Sequence, residues 1–90
     1  MSEIVVSPLG AGAYRVEVRE GSRISHHQVE VPDGFADGLV PGADAARIVQ
    51  ESFAFLLERE PATSILANFA LPVIGDYFPE YRSELSRRLR

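Results

Sequence analysis

Apolar and polar residues alternate strictly along the segment AYRVEVRE. Tyr14, Val16 and Val18 fall on one face of an extended chain, and charged residues fall on the other. This period of two residues is typical of a strand with one buried face. A break at residues 20–22 suits a hairpin turn, after which RISHHQVEV resumes an extended pattern. The pattern predicts an antiparallel hairpin.

The second strand of this hairpin contains one apolar residue that is out of phase with the others. Val29 and Val31 are expected to face the core, whereas Ile24 has the opposite parity. Either a β-bulge shifts the register between them or Ile24 packs on the outer face. Ahead of the hairpin, EIVVSP is short, rich in β-formers and closed by Pro8. It fits an edge strand or an arm that pairs with another chain.

Residues 32–43, PDGFADGLVPGA, contain three glycines and two prolines. Glycine and proline in this density indicate a connector between structured regions. Phe35, Leu39 and Val40 nevertheless predict one helical turn within it that docks on the core.

The main helix is predicted from Asp44, a suitable N-cap, to about Arg59, with Pro61 ending it. Phe55 widens its apolar sector to about half the circumference, more than the stripe of about 100° that one sheet face requires. The helix is therefore expected to touch two surfaces. These are the hairpin together with either the C-terminal helices or a second subunit. The narrower apolar face comprises Ile48, Val49, Ser52, Phe53, Leu56 and Leu57.

Prolines divide the C-terminal segment into three predicted short helices. A helix-turn-helix hypothesis would use the first two of them to read DNA. No basic side chain occurs between Arg59 and Arg82, whereas DNA binding rests on arginine and lysine contacts to phosphates. The pattern therefore favours packing units. The three helices are expected near Ala62 to Phe69, Pro72 to Phe78 and Pro79 to Leu89.

The last of these helices carries a cluster of arginines. Tyr81 and Leu85 recur at a spacing of four residues, as expected for a buried stripe. Arg87, Arg88 and Arg90 suit the dipole of a helix C-terminus, which explains them without a partner. A patch for phosphate or for an acidic partner is the alternative.

Composition narrows the classes of function. The chain has 90 residues, 46% hydrophobic, with no cysteine and a net charge of −4. It therefore predicts one soluble domain without disulfides, and a negative field that attracts neither nucleic acid nor an anionic membrane. No apolar run of membrane-spanning length occurs, so a cytoplasmic location is expected. All nine basic residues are arginine, which indicates a GC-rich bacterial genome.

The histidines are the residues closest to a chemical signature. His26 and His27 are adjacent on a strand and so point to opposite faces, which disfavours a shared metal ion. One of them at a subunit interface would make assembly pH-sensitive. No serine shows a nucleophile motif or a local base, so no enzyme, cofactor or metal is expected. A small-molecule enzyme would need a pocket joining either histidine to Tyr77.

YRVEV, FAFLLEREP and SILANFALPVIGDYFPEY occur in an order that resembles a group of small uncharacterised bacterial proteins. The resemblance covers most of residues 14–85. It implies a compact one-domain bacterial protein and carries no activity. A strand pair followed by a long helix is also broadly similar to HicB-like antitoxins, but the central glycine-cysteine strand turn of that family is absent here.

Together these patterns predict an α+β fold. A two- or three-stranded antiparallel sheet is covered by one main helix, followed by two to three short C-terminal helices. One domain is expected over 1–90, with a β-hairpin region at 1–31, a connector at 32–43 and a helical region at 44–90. The predicted core consists of Tyr14, Val16, Val18, Val29, Val31, Ile48, Phe53, Leu56, Leu57, Ile65, Leu66, Phe69, Ile74, Phe78 and Leu85.

The wide helix face and an exposed sheet edge favour a non-enzymatic protein–protein interaction module or homodimer, which binds itself or another protein. The alternative is an antitoxin-like or other nucleic-acid-associated regulatory module that uses the C-terminal arginines. The residues expected at an interaction surface are Phe55, Arg82, Arg87 and Arg88.

Overall fold

The described part of the chain contains four strands and four α-helices. A computed structural model describes residues 2–39 and 41–89. Val40 and Arg90, which were given roles above, lie outside the described residues. The strands are β1 (Ser2–Gly10), β2 (Ala13–Glu20), β3 (Arg23–Glu30) and β4 (Asn68–Ala70). The helices are α1 (Phe35–Leu39), α2 (Ala45–Leu57), α3 (Val73–Tyr77) and α4 (Tyr81–Leu89), and Ala62–Ser64 form a 3₁₀ turn.

The strands form one mixed sheet in the order β1-β2-β3-β4. The α+β class is confirmed, but the predicted two- or three-stranded antiparallel sheet is wrong in its strand number and in the orientation of one strand. β1 is nine residues long and pairs antiparallel with β2, so of the two alternatives for this segment the structure shows the edge strand. β4 adds a fourth strand, which runs parallel to β3. Neither addition disturbs the predicted hairpin, which is antiparallel without a register shift.

The inner face of the sheet consists of residues paired across three strands. Val16 lies opposite Val6 on one side and His27 on the other. Val16 and His27 are both buried. Ile24 lies on the outer face, where 55% of its surface is exposed. The β2–β3 register is uninterrupted, so of the two explanations for the opposite parity of Ile24, the structure shows the outward-facing side chain and no β-bulge.

The turn between β1 and β2 depends on glycine at one position in particular. Gly12 has φ of +77°, a conformation that residues with a side chain rarely adopt. A Cβ atom there would also lie 3.0 Å from the carbonyl oxygen of Val31. The carbonyl of Gly12 accepts a 2.9 Å hydrogen bond from the Val31 amide. This contact ties the end of the hairpin to the first turn.

Helix α2 begins at the predicted cap. The Asp44 carboxylate accepts a 3.1 Å hydrogen bond from the Ala46 amide, satisfying one of the unpaired N–H groups of the first turn. Ile48 and Phe53 are fully buried on the side facing the sheet. α2 therefore forms the centre of the core, as its hydrophobic pattern predicts.

The second apolar surface of α2 is covered from within the chain. Phe55 has no exposed surface, because the rings of Phe78 and Tyr81 pack edge-on against it at centroid distances of 5.9 and 5.3 Å. Of the two partners considered for the wide helix face, the described structure therefore shows the C-terminal helices. Phe55 is not available to a binding partner, which corrects its assignment as an interaction residue.

The segment after α2 departs most from prediction. The helix expected from Ala62 to Phe69 is wrong, because these residues form a 3₁₀ turn and then enter β4. Leu66, predicted in the core, is 50% exposed. The helix-turn-helix hypothesis fails with the loss of its first helix. Proline stops α3 as expected, since Phe78 adopts an extended conformation before Pro79.

Candidate functional site

An apolar groove with a cavity volume of about 200 Å³ lies where α2 ends. The segment after α2 folds back beside it through the 3₁₀ turn, β4 and α3. Most of its lining is hydrophobic or aromatic. The groove is lined by Leu56, Glu60, Ser64, Ile65, Leu66, Phe69, Val73, Ile74, Tyr77 and Phe78.

Two prolines fix one wall of this groove. Pro72 precedes the first residue of α3 and lies in helical geometry, which its restricted φ favours at a helix start. Pro79 forces Phe78 out of helical geometry, so α3 is only five residues long. A helix this short presents Ile74 to the core and Tyr77 to solvent. The two prolines therefore confine this wall of the groove to a single short helix.

Buried His27 holds the opposite wall. Its Nδ1 lies 2.8 Å from the carbonyl oxygen of Leu66. Because a carbonyl oxygen only accepts hydrogen bonds, Nδ1 carries a proton, and in the neutral ring Nε2 then accepts from the Ser25 hydroxyl at 2.9 Å. The ring also packs against Phe53 at a centroid distance of 5.3 Å. His27 therefore links β3 to the chain immediately before β4, and so positions the backbone of Leu66.

The rim of the groove exposes two large apolar side chains. Leu66 is 50% exposed and Tyr77 is 68% exposed. Both lie in the groove lining, together with the buried Ile65 and Ile74. Exposed apolar residues scattered singly need no explanation, but two that frame one apolar concavity make it a candidate binding surface. Sequence analysis missed this surface, because Leu66 was placed in the core.

Charge around the groove is one-sided. Glu60 lines it, and Asp76 is an exposed residue of α3 next to Tyr77. Neither makes an ion pair with the described residues. The nearest preceding cation in the chain, Arg59, is already paired, since its Nε lies 3.3 Å from Glu80. Its guanidinium stacks 3.6 Å above the Phe55 ring and lies 6.0 Å from the ring of Phe78 in the groove lining. Glu60 is thus the charged residue of the groove lining, and Asp76 adds a second carboxylate on α3 outside that lining.

The two histidines lie on opposite faces of the sheet, as predicted. His26 is exposed, and its Nε2 lies 3.2 Å from Glu17. A hydrogen bond from Arg19 lowers the pKa of the Glu17 carboxyl, and the contact with His26 acts in the same direction. Neither histidine lines the groove that contains Tyr77. The small-molecule enzyme hypothesis required a pocket that joins one of the histidines to Tyr77, and the groove does not do so.

A second concavity of about 290 Å³ lies beside the β2–β3 turn. It contains Ser25, whose hydroxyl hydrogen-bonds to His27; the sequence analysis had found no base near any serine. Ser25 and His27 lie on the same face of β3 because they are two residues apart on a strand. Glu20 and Arg23 give this concavity both signs of charge. The hydrogen bond satisfies a buried ring nitrogen and so has a structural role.

Arg88 fastens α4 to the end of α2. Arg88 Nη2 lies 2.6 Å from both carboxylate oxygens of Glu58, and Arg88 Nε lies 3.4 Å from Glu84. Hydrogen bonding to Glu58 raises the pKa of Arg88. Arg87 pairs with Glu84, and this bond is the main cause that lowers the pKa of the Glu84 carboxyl. Most of this charge is therefore neutralised within the chain.

Arg82 makes a different contact from its neighbours. Its guanidinium lies 5.2 Å from the centroid of the Phe35 ring, within the range of a cation–π interaction. Phe35 is buried and stacks on Tyr81 at 6.4 Å. Arg82 therefore covers the place where α1 meets α4. All four residues predicted at an interaction surface have contacts within the chain: Phe55, Arg82, Arg87 and Arg88.

Comparisons with protein-family models, curated proteins and solved structures found no match for this chain. Among the described residues, no three histidine, cysteine, aspartate or glutamate side chains come together as a metal site would require. No helix in the same part of the chain has the length and apolarity to cross a membrane.

Proposed function

We propose that this protein is a protein–protein interaction module that docks a partner in the apolar groove. The observation that carries the proposal is the pair of exposed side chains, Leu66 and Tyr77, at the rim of a concave apolar lining. Tyrosine at such a rim is a favourable anchor, because it offers a large rigid surface with a hydroxyl that stays hydrated.

The size of the groove favours a protein segment over a small molecule. Its volume of about 200 Å³ is smaller than the roughly 300 to 1,000 Å³ of typical small-molecule sites. A groove of this size accepts one or two apolar side chains of a partner. The surrounding rim then excludes water from the contact, as occurs around the anchors of protein interfaces.

The alternative proposal, a nucleic-acid-associated regulatory module, has weaker support. It relies on the C-terminal arginines, of which Arg88 pairs with Glu58 and Arg87 with Glu84. Phosphate binding would have to compete with these carboxylates. The net charge of −4 further opposes association with a polyanion. The structure therefore supports docking in the groove better than nucleic-acid binding by the arginines.

Site-specific photo-crosslinking in the cells that naturally contain this protein tests this function. A photoreactive phenylalanine derivative replaces Tyr77, and in a matched control it replaces Ile24, which is 55% exposed on the outer sheet face. We expect a defined protein to be captured at position 77 alone. The same protein, once purified, should bind the wild type and lose affinity for an L66S/Y77S variant. Equal capture at both positions, or binding unaffected by L66S/Y77S, would overturn the proposal.

A further inference from the structure

We infer that the groove recognises a cationic segment of another protein, in which an apolar anchor side chain is flanked by lysine or arginine. This inference rests on the proposed function and names the chemistry of the partner. Its basis is that the charged residue of the apolar lining is a carboxylate, Glu60. A second carboxylate, Asp76, adjoins the lining residue Tyr77 in the chain.

The segment that builds the groove carries charge of one sign. Residues 60–81 contain Glu60, Asp76 and Glu80 and no lysine or arginine. Glu80 is paired with Arg59, which leaves Glu60 and Asp76 without an ion pair among the described residues. A partner with basic side chains next to its apolar anchor would supply both missing counter-charges. Such complementary charge accelerates association and rejects acidic competitors.

A second copy of this chain does not provide the required chemistry. A two-fold symmetric dimer through the groove would bring the same surface of both copies together, so the carboxylates of both copies would share one interface without a cation from the groove lining. Like charges at one interface are destabilising. The inference therefore selects a different protein among the occupants considered for this molecule.

The arginine-rich helix α4 of a neighbouring copy is also unsuitable. Its basic residues lie on α4 beside Tyr81, Leu85 and Leu89, which are all buried in their own core. Docking this helix would expose those residues before any anchor could enter the groove. The helix therefore offers cations without an accessible apolar side chain.

Selection from a display library of random peptides of about 12 residues tests the inference on the intact chain. Peptides that also bind the L66S/Y77S variant are removed by counter-selection. Both substituted residues are largely exposed, so the variant is expected to fold, and circular dichroism with thermal unfolding verifies this. We expect the enriched peptides to combine large apolar residues with lysine or arginine.

Binding of an enriched peptide is then measured by fluorescence anisotropy at two salt concentrations. The rim truncation L66S/Y77S should weaken it by about tenfold or more. The charge variant E60Q/D76N should weaken it by about threefold and flatten its salt dependence. The matched variant D33N/D37N removes two carboxylates from the connector and α1, outside the groove lining, and should change affinity less than twofold by the same reasoning.

Each outcome separates the inference from the function on which it rests. Groove-dependent peptides that are neutral or acidic, or that bind E60Q/D76N as well as the wild type, would overturn the cationic partner and leave the docking groove intact. A selection that returns no groove-dependent peptide would overturn both. Protein that elutes as a dimer, with the dimer abolished by L66S/Y77S, would assign the groove to self-association and refute the inference.

Discussion

The hydroxyl groups of Ser52 and Tyr81 lie 2.7 Å apart inside the core, where neither residue has exposed surface. Ser52 Oγ also lies 2.7 Å from the carbonyl oxygen of Ile48, to which it donates its single proton. Tyr81 must therefore donate to Ser52. This chain of hydrogen bonds joins α2 to α4 and satisfies the polar groups of both side chains. Burial raises the pKa of Tyr81 to about 12.

The raised pKa of Tyr81 predicts a loss of stability in alkaline solution. The unfolded chain releases the phenolic proton near pH 10, whereas the folded protein retains it to about 12. The contribution of Tyr81 to the free energy of unfolding is therefore fully present below about pH 10. It is lost as the pH rises through the folded pKa. Over that window the free energy of unfolding should drop by roughly 2 to 3 kcal/mol.

Urea unfolding at several alkaline pH values measures this drop. The Y81F variant has no proton to release and should show a flatter dependence on pH, although it loses the hydrogen bond to Ser52. Ultraviolet titration should resolve one tyrosine that ionises later than the others, and this late step should be absent in Y81F. Identical pH dependence of wild type and Y81F would contradict the assignment.

Replacing His27 should cost much more stability than replacing its neighbour His26. An H27L variant leaves the Leu66 carbonyl without its imidazole donor and removes the acceptor of the Ser25 hydroxyl. Loss of a partner for buried polar groups costs about 1 to 3 kcal/mol. His26 is exposed, so H26L should change the free energy of unfolding by about 0.5 kcal/mol or less.

Chemical denaturation of both variants tests this contrast. Hydrogen exchange adds a local measurement, because amides near Leu66 and β4 should exchange faster in H27L than in H26L. Equal destabilisation by the two substitutions would show that the buried hydrogen bond does not hold this wall of the groove.

Much of the sheet and of α2 follows from short-range patterns. The alternation of Tyr14, Val16 and Val18 places them on the inner face, since side chains of a strand alternate between faces. Asp44 caps α2 because its short carboxylate reaches the free amide of Ala46. Such features depend on neighbours in sequence, which is why they could be predicted.

The groove could not be predicted, because it depends on pairing between distant segments. β4 has only three residues and no alternating pattern of its own. Its position is set by hydrogen bonds such as the 2.7 Å contact between the Gln28 amide and the Ala67 carbonyl. The same pairing turns Leu66 outward. An apolar residue just before a short strand carries no sequence signal that separates core from rim.

Stability should also fall in acid through the ion pairs of α4. The pKa of Glu84 is lowered chiefly by its hydrogen bond to Arg87, with Arg88 contributing charge. A carboxyl with a lowered folded pKa stabilises the protein above its unfolded pKa and loses that contribution as the pH falls through the folded value. From about pH 5 to about pH 3, the urea midpoint of wild type should fall more steeply than that of E84Q.

The D33N variant provides the control for this measurement. Asp33 is exposed and makes no ion pair with the described residues. Its substitution should leave the steep acid dependence of the wild type in place. If D33N flattens the curve as much as E84Q does, the α4 ion pairs do not govern the response to acid.

Arg87 and Arg88 are adjacent but should respond differently to truncation. The Arg88 side chain is 19% exposed, pairs with Glu58 and Glu84, and lies 5.9 Å from the Phe55 ring centroid. R88A therefore loses charge-assisted hydrogen bonds and packing, and should lower the free energy of unfolding by about 1 to 2 kcal/mol. Arg87 is 75% exposed, so R87A should cost about 0.5 kcal/mol or less.

Thermal unfolding of the two variants distinguishes a structural arginine cluster from a nucleic-acid patch. In a structural cluster, stability falls in R88A and hardly changes in R87A, and the purified protein carries no nucleic acid that high salt releases. In a nucleic-acid patch, the purified protein binds nucleic acid in a salt-dependent way. Exposed Arg87 contributes to this binding, and the R87A/R88A double variant abolishes it. Because Glu58 and Glu84 already occupy Arg88, we expect the structural outcome. Bound nucleic acid that is lost in R87A without a change in stability would favour the regulatory alternative.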